Sequence, residues 1–169
     1  LKWGIELIFI FAIPSSVALF SLGLPIIELL FVRGNFNESD ATMTAMSLQA
    51  FSLGLFAFML IKVLSASFFA RQDTLTPLII TILSFVMNAI LNYFLAFYLG
   101  YGHVGLAIGS SIAAIVSVVI YFIILSRNSF IDVTIASSIS MMKIISANIV
   151  FYFIITFFAN KISAINDQW

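Results

Sequence analysis

The chain has 169 residues, of which 63% are hydrophobic and 8% are charged, and its 7 basic residues balance its 7 acidic ones. About a quarter of the residues in soluble domains are charged, so this composition indicates an integral membrane protein. The balanced charge argues against nucleic acid as a partner, and the absence of cysteine excludes disulfides, thiol catalysis and thiolate metal sites in this chain.

Runs of about twenty apolar residues predict five transmembrane helices joined by short linkers. The predicted spans are roughly 5–23, 42–67, 77–98, 104–125 and 139–159. Linkers this short place consecutive spans antiparallel, so we predict an all-α integral membrane fold, with residues 1–169 as a single membrane-embedded fragment. The chain begins LKWGIELIFIF, without an initiator methionine or a small-residue cleavage site, and we interpret it as a piece of a longer protein.

Two prolines interrupt the first apolar run. Pro14 predicts a kink, and the two serines that follow it can bond the backbone groups that the proline frees. Gly23 and Pro25 predict the end of the span, followed by a short interfacial helix over 25–32.

Lysine and arginine near the span ends favour a cytoplasmic N-terminus. In that orientation Arg33 and Lys161 face the outside. The cytoplasmic side receives Lys2, Arg71, Arg127 and Lys143.

Lys62 is the most unusual residue, because it lies inside the second apolar run. A charged side chain at the membrane centre costs about 2.5–3.5 kcal/mol on insertion scales, so such residues usually face a hydrated cavity or a partner. Lys62 is therefore a candidate for transport or gating. The alternative is snorkelling, in which the aliphatic stem carries the ammonium towards the membrane surface near Arg71.

Asn88 and Asn92 lie four residues apart in FVMNAILNYF and therefore share one face of the third span. The next span carries Ser110 and Ser111 in GLAIGSSIAA. Amide and hydroxyl oxygens from neighbouring helices can coordinate a hard cation such as sodium. The alternative is ordinary hydrogen bonding between helices.

Other polar and small residues indicate helix ends and packing. The single histidine, His103, has no carboxylate beside it in sequence and is expected at a helix end. Gly105, Gly109 and Ala113 recur every four residues and predict a face that another helix can approach closely. They say nothing about substrate.

The linker ARQDT, 70–74, predicts a tight cytoplasmic turn in which Asp73 or Thr74 caps the next helix. Arg71 supplies positive charge to that side of the membrane. The alternative is a cytoplasmic gate, in which Arg71 and Asp73 exchange partners between two states.

Four stretches, LPIIELLFVRGNF, IKVLSASFFARQDTLTP, NAILNYF and HVGLAIGSSIAA, occur in this order within residues 1–127. Together they resemble the MurJ/MviN lipid II flippases of the multidrug/oligosaccharidyl-lipid/polysaccharide exporter superfamily. The fifth span matches in hydropathy only.

The resemblance implies a fourteen-helix transporter with two six-helix lobes, in which this chain corresponds to helices nine to thirteen of the C-terminal lobe. It implies movement of lipid-linked peptidoglycan precursor from the cytoplasmic to the periplasmic leaflet of the bacterial inner membrane by alternating access, for cell wall biosynthesis. The implied partners are that precursor, membrane lipid and the N-terminal lobe of the same protein. The arginines thought to hold the pyrophosphate belong to helices that precede Leu1.

The resemblance also implies a coupling ion and no other cofactor. Some members of the family resemble sodium-coupled transporters, with an Asn–Asp pair on helix eleven and a threonine on helix twelve. Those positions match Asn88, Asn92 and Ser110, with Asn92 in place of the carboxylate. Coupling to Na⁺ and coupling to H⁺ both stay open.

Three functions are therefore distinguished. The favoured one is a lipid II flippase; the second is a related exporter of another polyprenyl-linked glycan or a drug. The third is a non-transporting membrane scaffold that binds partners through its small-residue faces. An enzyme is not expected, because the sequence has no nucleophile motif, phosphate loop or metal-spaced cluster.

Overall fold

A computed structural model describes residues 2–127, 148, 151–153 and 155. Within that part of the chain four α-helices follow one another, and a π-helical turn extends the third: α1 (Lys2–Phe31), α2 (Glu38–Phe69), α3 (Leu75–Asn92), the π-helical turn (Tyr93–Tyr98) and α4 (Gly102–Arg127). Each span is long and apolar enough to cross a membrane, which confirms the predicted all-α membrane class. Most of the predicted fifth span, 139–159, lies outside the described residues.

The first helix differs from its prediction. It runs without interruption through Pro14 and Pro25 to Phe31. The predicted end of the span at Gly23, and a separate interfacial helix over 25–32, are therefore wrong. Proline is tolerated inside a membrane helix where neighbouring helices satisfy and hold the backbone around it.

Contacts with α2 explain why the first helix continues. Ile27 packs against Ala41 and Ala45 of α2 in a buried cluster, which holds the segment after the second proline against the bundle. The Ser16 hydroxyl donates a hydrogen bond to the backbone carbonyl of Ser52 in α2. This serine therefore links two helices, whereas the sequence predicted that it would repair its own helix.

The helices are not arranged in chain order. Helix α2 packs against α1 and against α4, whereas α3 packs mainly on α4 and barely touches α2. A hydrophobic core joins the bundle at the end nearer the 70–74 linker, and it consists of Ile8, Ala12, Leu60, Leu64, Phe68, Ile80, Tyr121 and Leu125. The spatial order α1, α2, α4, α3 leaves a groove between α2 and α3, and α4 forms its floor.

Glycine permits the close contact between α2 and α4. A Cβ atom on Gly54 would lie 2.5 Å from the hydroxyl of Ser111 and 2.9 Å from its Cα. The same hydroxyl donates a hydrogen bond of 2.7 Å to the carbonyl of Ala50. The two backbones therefore approach too closely for any larger residue at Gly54, as is common where membrane helices cross.

The predicted small-residue face of α4 is confirmed, since Gly105, Gly109 and Ala113 are all buried. A Cβ atom on Gly105 would lie 2.8 Å from the backbone nitrogen of Ala96 in the π-helical turn. This face lets the end of the third span lie directly on α4.

Candidate functional site

An amide and hydroxyl network joins α3 to α4 near the middle of the bundle. The Asn92 side-chain amide donates a hydrogen bond of 2.6 Å to Oδ1 of Asn88. The Asn88 amide in turn donates one of 3.1 Å to the Ser110 hydroxyl, which donates to the backbone carbonyl of Leu106 at 2.9 Å. The structure therefore brings together all three residues that the sequence singled out for a cation, and it joins them by direct hydrogen bonds.

One acceptor of this network has no donor within the described part of the chain. Oδ1 of Asn92 is buried and has no hydrogen-bond partner among those residues, and it lies 2.4 Å from the position that a Cβ atom on Gly109 would occupy. Asn92 is also the last residue of α3 before the π-helical turn. Buried polar atoms are normally paired, and π-helical turns occur frequently at functional sites, so both features single out this point of the helix.

The oxygen atoms of the network fit a hard cation in type but not yet in number. Amide and hydroxyl oxygens suit such ions, which commonly take six or more oxygen ligands. Asn88, Asn92 and Ser110 supply one side-chain oxygen each, and two of these three already take part in hydrogen bonds. No cluster of three or more acidic, histidine or cysteine side chains occurs within the described part of the chain. Further ligands would have to come from water or from other helices.

Lys62 lies on α2, away from this network, and its side chain is exposed. Among the described residues it makes no ion pair, and its carbonyl accepts a hydrogen bond of 3.1 Å from the Ser65 hydroxyl. Leu60 and Leu64, two residues before and two residues after Lys62, are buried in the core, so Lys62 lies on another side of the helix. Lys62 therefore projects from the face of α2 that α1 and α4 leave uncovered.

The 70–74 linker forms a tight turn that caps α3. Both carboxylate oxygens of Asp73 accept hydrogen bonds from Thr76, one from its backbone amide at 3.0 Å and one from its hydroxyl at 2.6 Å. The pKa of Asp73 is lowered mainly by the hydrogen bond from the Thr76 hydroxyl and, to a smaller extent, by the one from the Thr76 backbone amide. Thr74 makes no capping bond with its side chain, so of the two predicted caps Asp73 performs the role. Gln72 has a left-handed backbone conformation, with φ of 62°, within this turn.

His103 lies exposed in the first turn of α4, at the helix end where the sequence placed it. It is far along the chain from the 70–74 turn and belongs to the opposite end of the bundle. Neither His103 nor the turn residues Arg71 and Asp73 take part in the amide network.

The groove between α2 and α3 is a feature that the sequence did not reveal. Its volume is about 340 Å³, and it is lined by Ile61, Ile80, Thr81, Ser84, Phe85, Asn88, Ser117 and Tyr121. The spacing of Thr81, Ser84 and Asn88 along α3 carries a helical signal that could have indicated a polar face. The groove itself depends on the separation of α2 from α3, which no local pattern reports.

The segment that contains these helices matches a known protein family. The model of the family described as "Lipid II flippase MurJ" matches residues 1–166. The chain belongs to the MurJ family.

Curated MurJ relatives cover most of this chain. It is 39% identical over 122 residues to a probable lipid II flippase MurJ of Vibrio cholerae, which covers 72% of this chain and 23% of that protein. It is 31% identical over 169 residues to the protein of that name from Haemophilus influenzae, covering 100% of this chain and 32% of that protein. A lipid II flippase MurJ of Burkholderia cenocepacia is 34% identical over 123 residues, covering 73% and 23%. The chain thus spans about a third or less of the length of these relatives.

MurJ membership and the four apolar helices together make this chain part of a multi-pass bacterial membrane protein. The predicted family resemblance is confirmed, including the region after residue 127, where the sequence offered only hydropathy. The functional roles of Lys62, Arg71, Asp73 and the amide network stay predictions.

Proposed function

We propose that this MurJ-family segment forms part of the C-terminal lobe of a lipid II flippase, a transporter and not an enzyme. The observation that carries the proposal is the family match over residues 1–166, which includes every helix described above. The transported molecule is the lipid-linked peptidoglycan precursor, and the remaining partners are membrane lipid and the N-terminal lobe. The two lobes rock about a hydrated cavity, so that the head group crosses while the tail stays in lipid.

The position of Lys62 supports the proposal that one face of α2 lines a hydrated cavity. Its exposed position inside a 32-residue apolar helix would place an ammonium in hydrocarbon if that face met lipid tails. Charged side chains within spans almost always face the bundle interior or a water-filled cavity. In a flippase cavity the ammonium of Lys62 would attract the anionic pyrophosphate of the precursor. The core residues Leu60 and Leu64 would keep α2 packed against the bundle.

The test uses the full-length protein with Lys62→Gln and Lys62→Arg, and the measured quantity is the fraction of precursor that reaches the outer leaflet. We expect Lys62→Gln to reduce that fraction about tenfold, which corresponds to about 1.4 kcal/mol of lost interaction. Lys62→Arg should keep most of it, because the charge remains. Met59→Leu, a partly exposed site one turn away on α2, is the control and should transport normally.

Two outcomes would contradict the flippase assignment. Normal delivery of precursor after depletion of the full-length protein would exclude it as the transporter. Full activity of Lys62→Gln, with loss only when the close helix contacts are disrupted, would favour a scaffold that works through packing alone.

The amide network is proposed as the binding point for Na⁺ as a coupling ion, on the basis of the Asn92 Oδ1, which has no partner among the described residues. Coupling to H⁺ stays open, but it would use a titratable group elsewhere in the protein, because amides and hydroxyls do not take up a proton near neutral pH. Asn92→Asp would add a negative charge beside that position. If a cation binds there, sodium chloride should raise the melting temperature of the Asp variant more than choline chloride at equal ionic strength, since a ligand that binds the folded state stabilises it. Equal melting temperatures of the Asp variant in both salts would exclude the ion site while leaving the flippase assignment intact.

A further inference from the structure

The groove between α2 and α3 lies in the half of the bundle nearer the 70–74 linker. With a rise of about 1.5 Å per residue, Ile80 lies roughly 8 Å and Asn88 roughly 20 Å from the start of α3. On the same scale Ile61 lies roughly 12 Å from the end of α2, and Tyr121 roughly 9 Å from the end of α4. These lining residues from three helices therefore share one depth range. Its deep end is Asn88, the first member of the amide network.

Two hydroxyl groups that line the groove have no partner within the described part of the chain. Tyr121 is only 1% exposed, yet its hydroxyl takes part in none of the hydrogen bonds among the described residues, and the same holds for Ser84. Thr81 and Ser117, by contrast, bond carbonyls of their own helices at 2.8 Å and 2.7 Å. Neither hydroxyl counts among the fully buried side-chain oxygens without a partner in the described part of the chain, so both reach the open space of the groove, where a polar occupant can pair with them.

The opposite face of α3 has the composition that lipid tails require. Ile79, Ile82, Val86 and Ile90 are all exposed and carry no polar atoms on their side chains. Ile82 and Val86 lie about half a helical turn around the axis from Ser84 and bracket it in depth. One helix thus presents an apolar face on one side and hydroxyl and amide groups towards the groove on the other.

We propose that this groove is a water-filled crevice that opens at the 70–74 side of the membrane and ends at the amide network. Water suits a volume of about 340 Å³ in which five of the eight lining side chains carry a hydroxyl or an amide and three are apolar, since it can donate to and accept from each of the polar groups. Unpaired hydroxyls exclude lipid tails, which offer no hydrogen bonds. The crevice gives a small hydrated cation a route to Asn88, and that consequence alone rests on the coupling role proposed above.

Cysteine accessibility tests the crevice, because this chain contains no cysteine of its own. Ser84→Cys and Thr81→Cys are placed separately in the full-length protein, with any cysteine outside this segment replaced by serine. Ile82→Cys and Val86→Cys are the depth-matched controls. Vesicles of both orientations are treated with a cationic, membrane-impermeant methanethiosulfonate, and the labelling rate is measured by mass spectrometry.

We expect both groove cysteines to react at least about tenfold faster than the two controls, because the reactive thiolate forms in water and is suppressed in apolar surroundings. The reagent should act from the 70–74 side of the membrane only. Rates equal to those of the controls would overturn the crevice and show that lipid or another part of the protein fills the groove. Labelling from the opposite side only would overturn its direction. Because labelling does not require transport, neither result depends on the identity of the substrate.

Discussion

At the scale of single residues, the contact between Gly109 and Asn92 is the tightest point of the candidate site. Alanine at Gly109 would place its Cβ atom 2.4 Å from Oδ1 of Asn92, and this oxygen belongs to a short side chain that is already held by Asn88. We expect Gly109→Ala to destabilise the protein by about 1–3 kcal/mol, as overpacking of a well-packed contact does.

Gly23→Ala is the matched control for that prediction. Gly23 also lies inside a helix, but a Cβ atom there would meet its nearest neighbour, Gln49, at an ordinary distance of 3.6 Å. Replacing a helical glycine by alanine without strain should stabilise the protein by about 0.5–1 kcal/mol. Thermal unfolding of both variants in detergent measures the difference, and equal shifts would show that the contact is not tight.

Asp73 has an effect on stability that depends on pH. Its pKa is lowered in the folded protein by the hydroxyl and the backbone amide of Thr76, so the capping interaction is fully present above the ordinary aspartate pKa of about 3.9. The contribution disappears as the pH falls through the lower folded-state pKa. We therefore expect Asp73→Ala to lower the melting temperature at neutral pH and to lose that difference in strong acid.

Thr76→Val serves as the partner variant, because it removes the hydroxyl donor and keeps the backbone amide. Its melting temperature should fall by less than that of Asp73→Ala, with the same direction of pH dependence. A difference between wild type and Asp73→Ala that stays constant down to pH 2 would contradict the capping role.

Sequence reasoning located some of these residues better than others. Asn88 and Asn92 could be assigned to one helical face from their spacing alone. A cap at Asp73 or Thr74 could be predicted from their position before an apolar run, but the sequence did not decide between these two residues. The unpaired hydroxyls of Ser84 and Tyr121 could not be predicted, because whether a hydroxyl finds a partner depends on which helices lie beside it.

At the scale of elements, the continuous first helix makes a prediction about its second half. Ile27 packs on Ala41, so Ile27→Cys together with Ala41→Cys should form a disulfide under mild oxidation. Leu29, which is 75% exposed, lies on another side of the helix, and Leu29→Cys with Ala41→Cys is the control that should stay reduced. Mass spectrometry of peptides after digestion identifies the cross-link.

If the Ile27 pair does not form a cross-link, the result would favour the prediction of a separate interfacial helix after Pro25. The sequence favoured that interpretation because proline lacks the amide donor that an interior helical position uses. The deciding contacts come from Ala41 and Ala45, which precede the predicted start of the second span at residue 42 or lie just inside it. Proline is a local signal, and here the packing between helices overrides it.

At the scale of the whole molecule, the prediction concerns orientation. The charge distribution predicts that the 70–74 linker lies in the cytoplasm and the linker between α1 and α2 outside. Thr74→Cys should therefore react with an impermeant thiol reagent only from the cytoplasmic side, and Asn35→Cys only from the outside; both side chains are exposed. Labelling of both positions from one side would contradict the antiparallel bundle.

The apolar runs predicted the second, third and fourth spans to within about four residues at each end, since the thickness of the membrane fixes how long such runs must be, whereas the first span continues to Phe31, beyond its predicted end at residue 23. Their neighbours in space were not predictable in the same way. The short 70–74 linker predicted that α2 and α3 run antiparallel, but it did not indicate the helix on which α3 packs, and α3 lies mainly on α4. Gly105 and Gly109 of α4 contribute to this arrangement, because they let the backbone at Ala96 and the side chain of Asn92 approach α4 closely.

The position of α3 has a consequence for how the protein is made. Of its residues only Pro77 and Ile80 are buried, and Asn88, to which Asn92 donates, finds its own acceptor Ser110 only on the following helix. As the chain leaves the ribosome, α3 therefore enters the bilayer with polar amides that nothing yet shields. The linker of residues 99–101 is short enough for α4 to fold back at once and cover them. We therefore expect α3 and α4 to insert into the membrane together, as a helical hairpin. This hairpin then packs against α1 and α2, so the four described helices enter the membrane as two pairs.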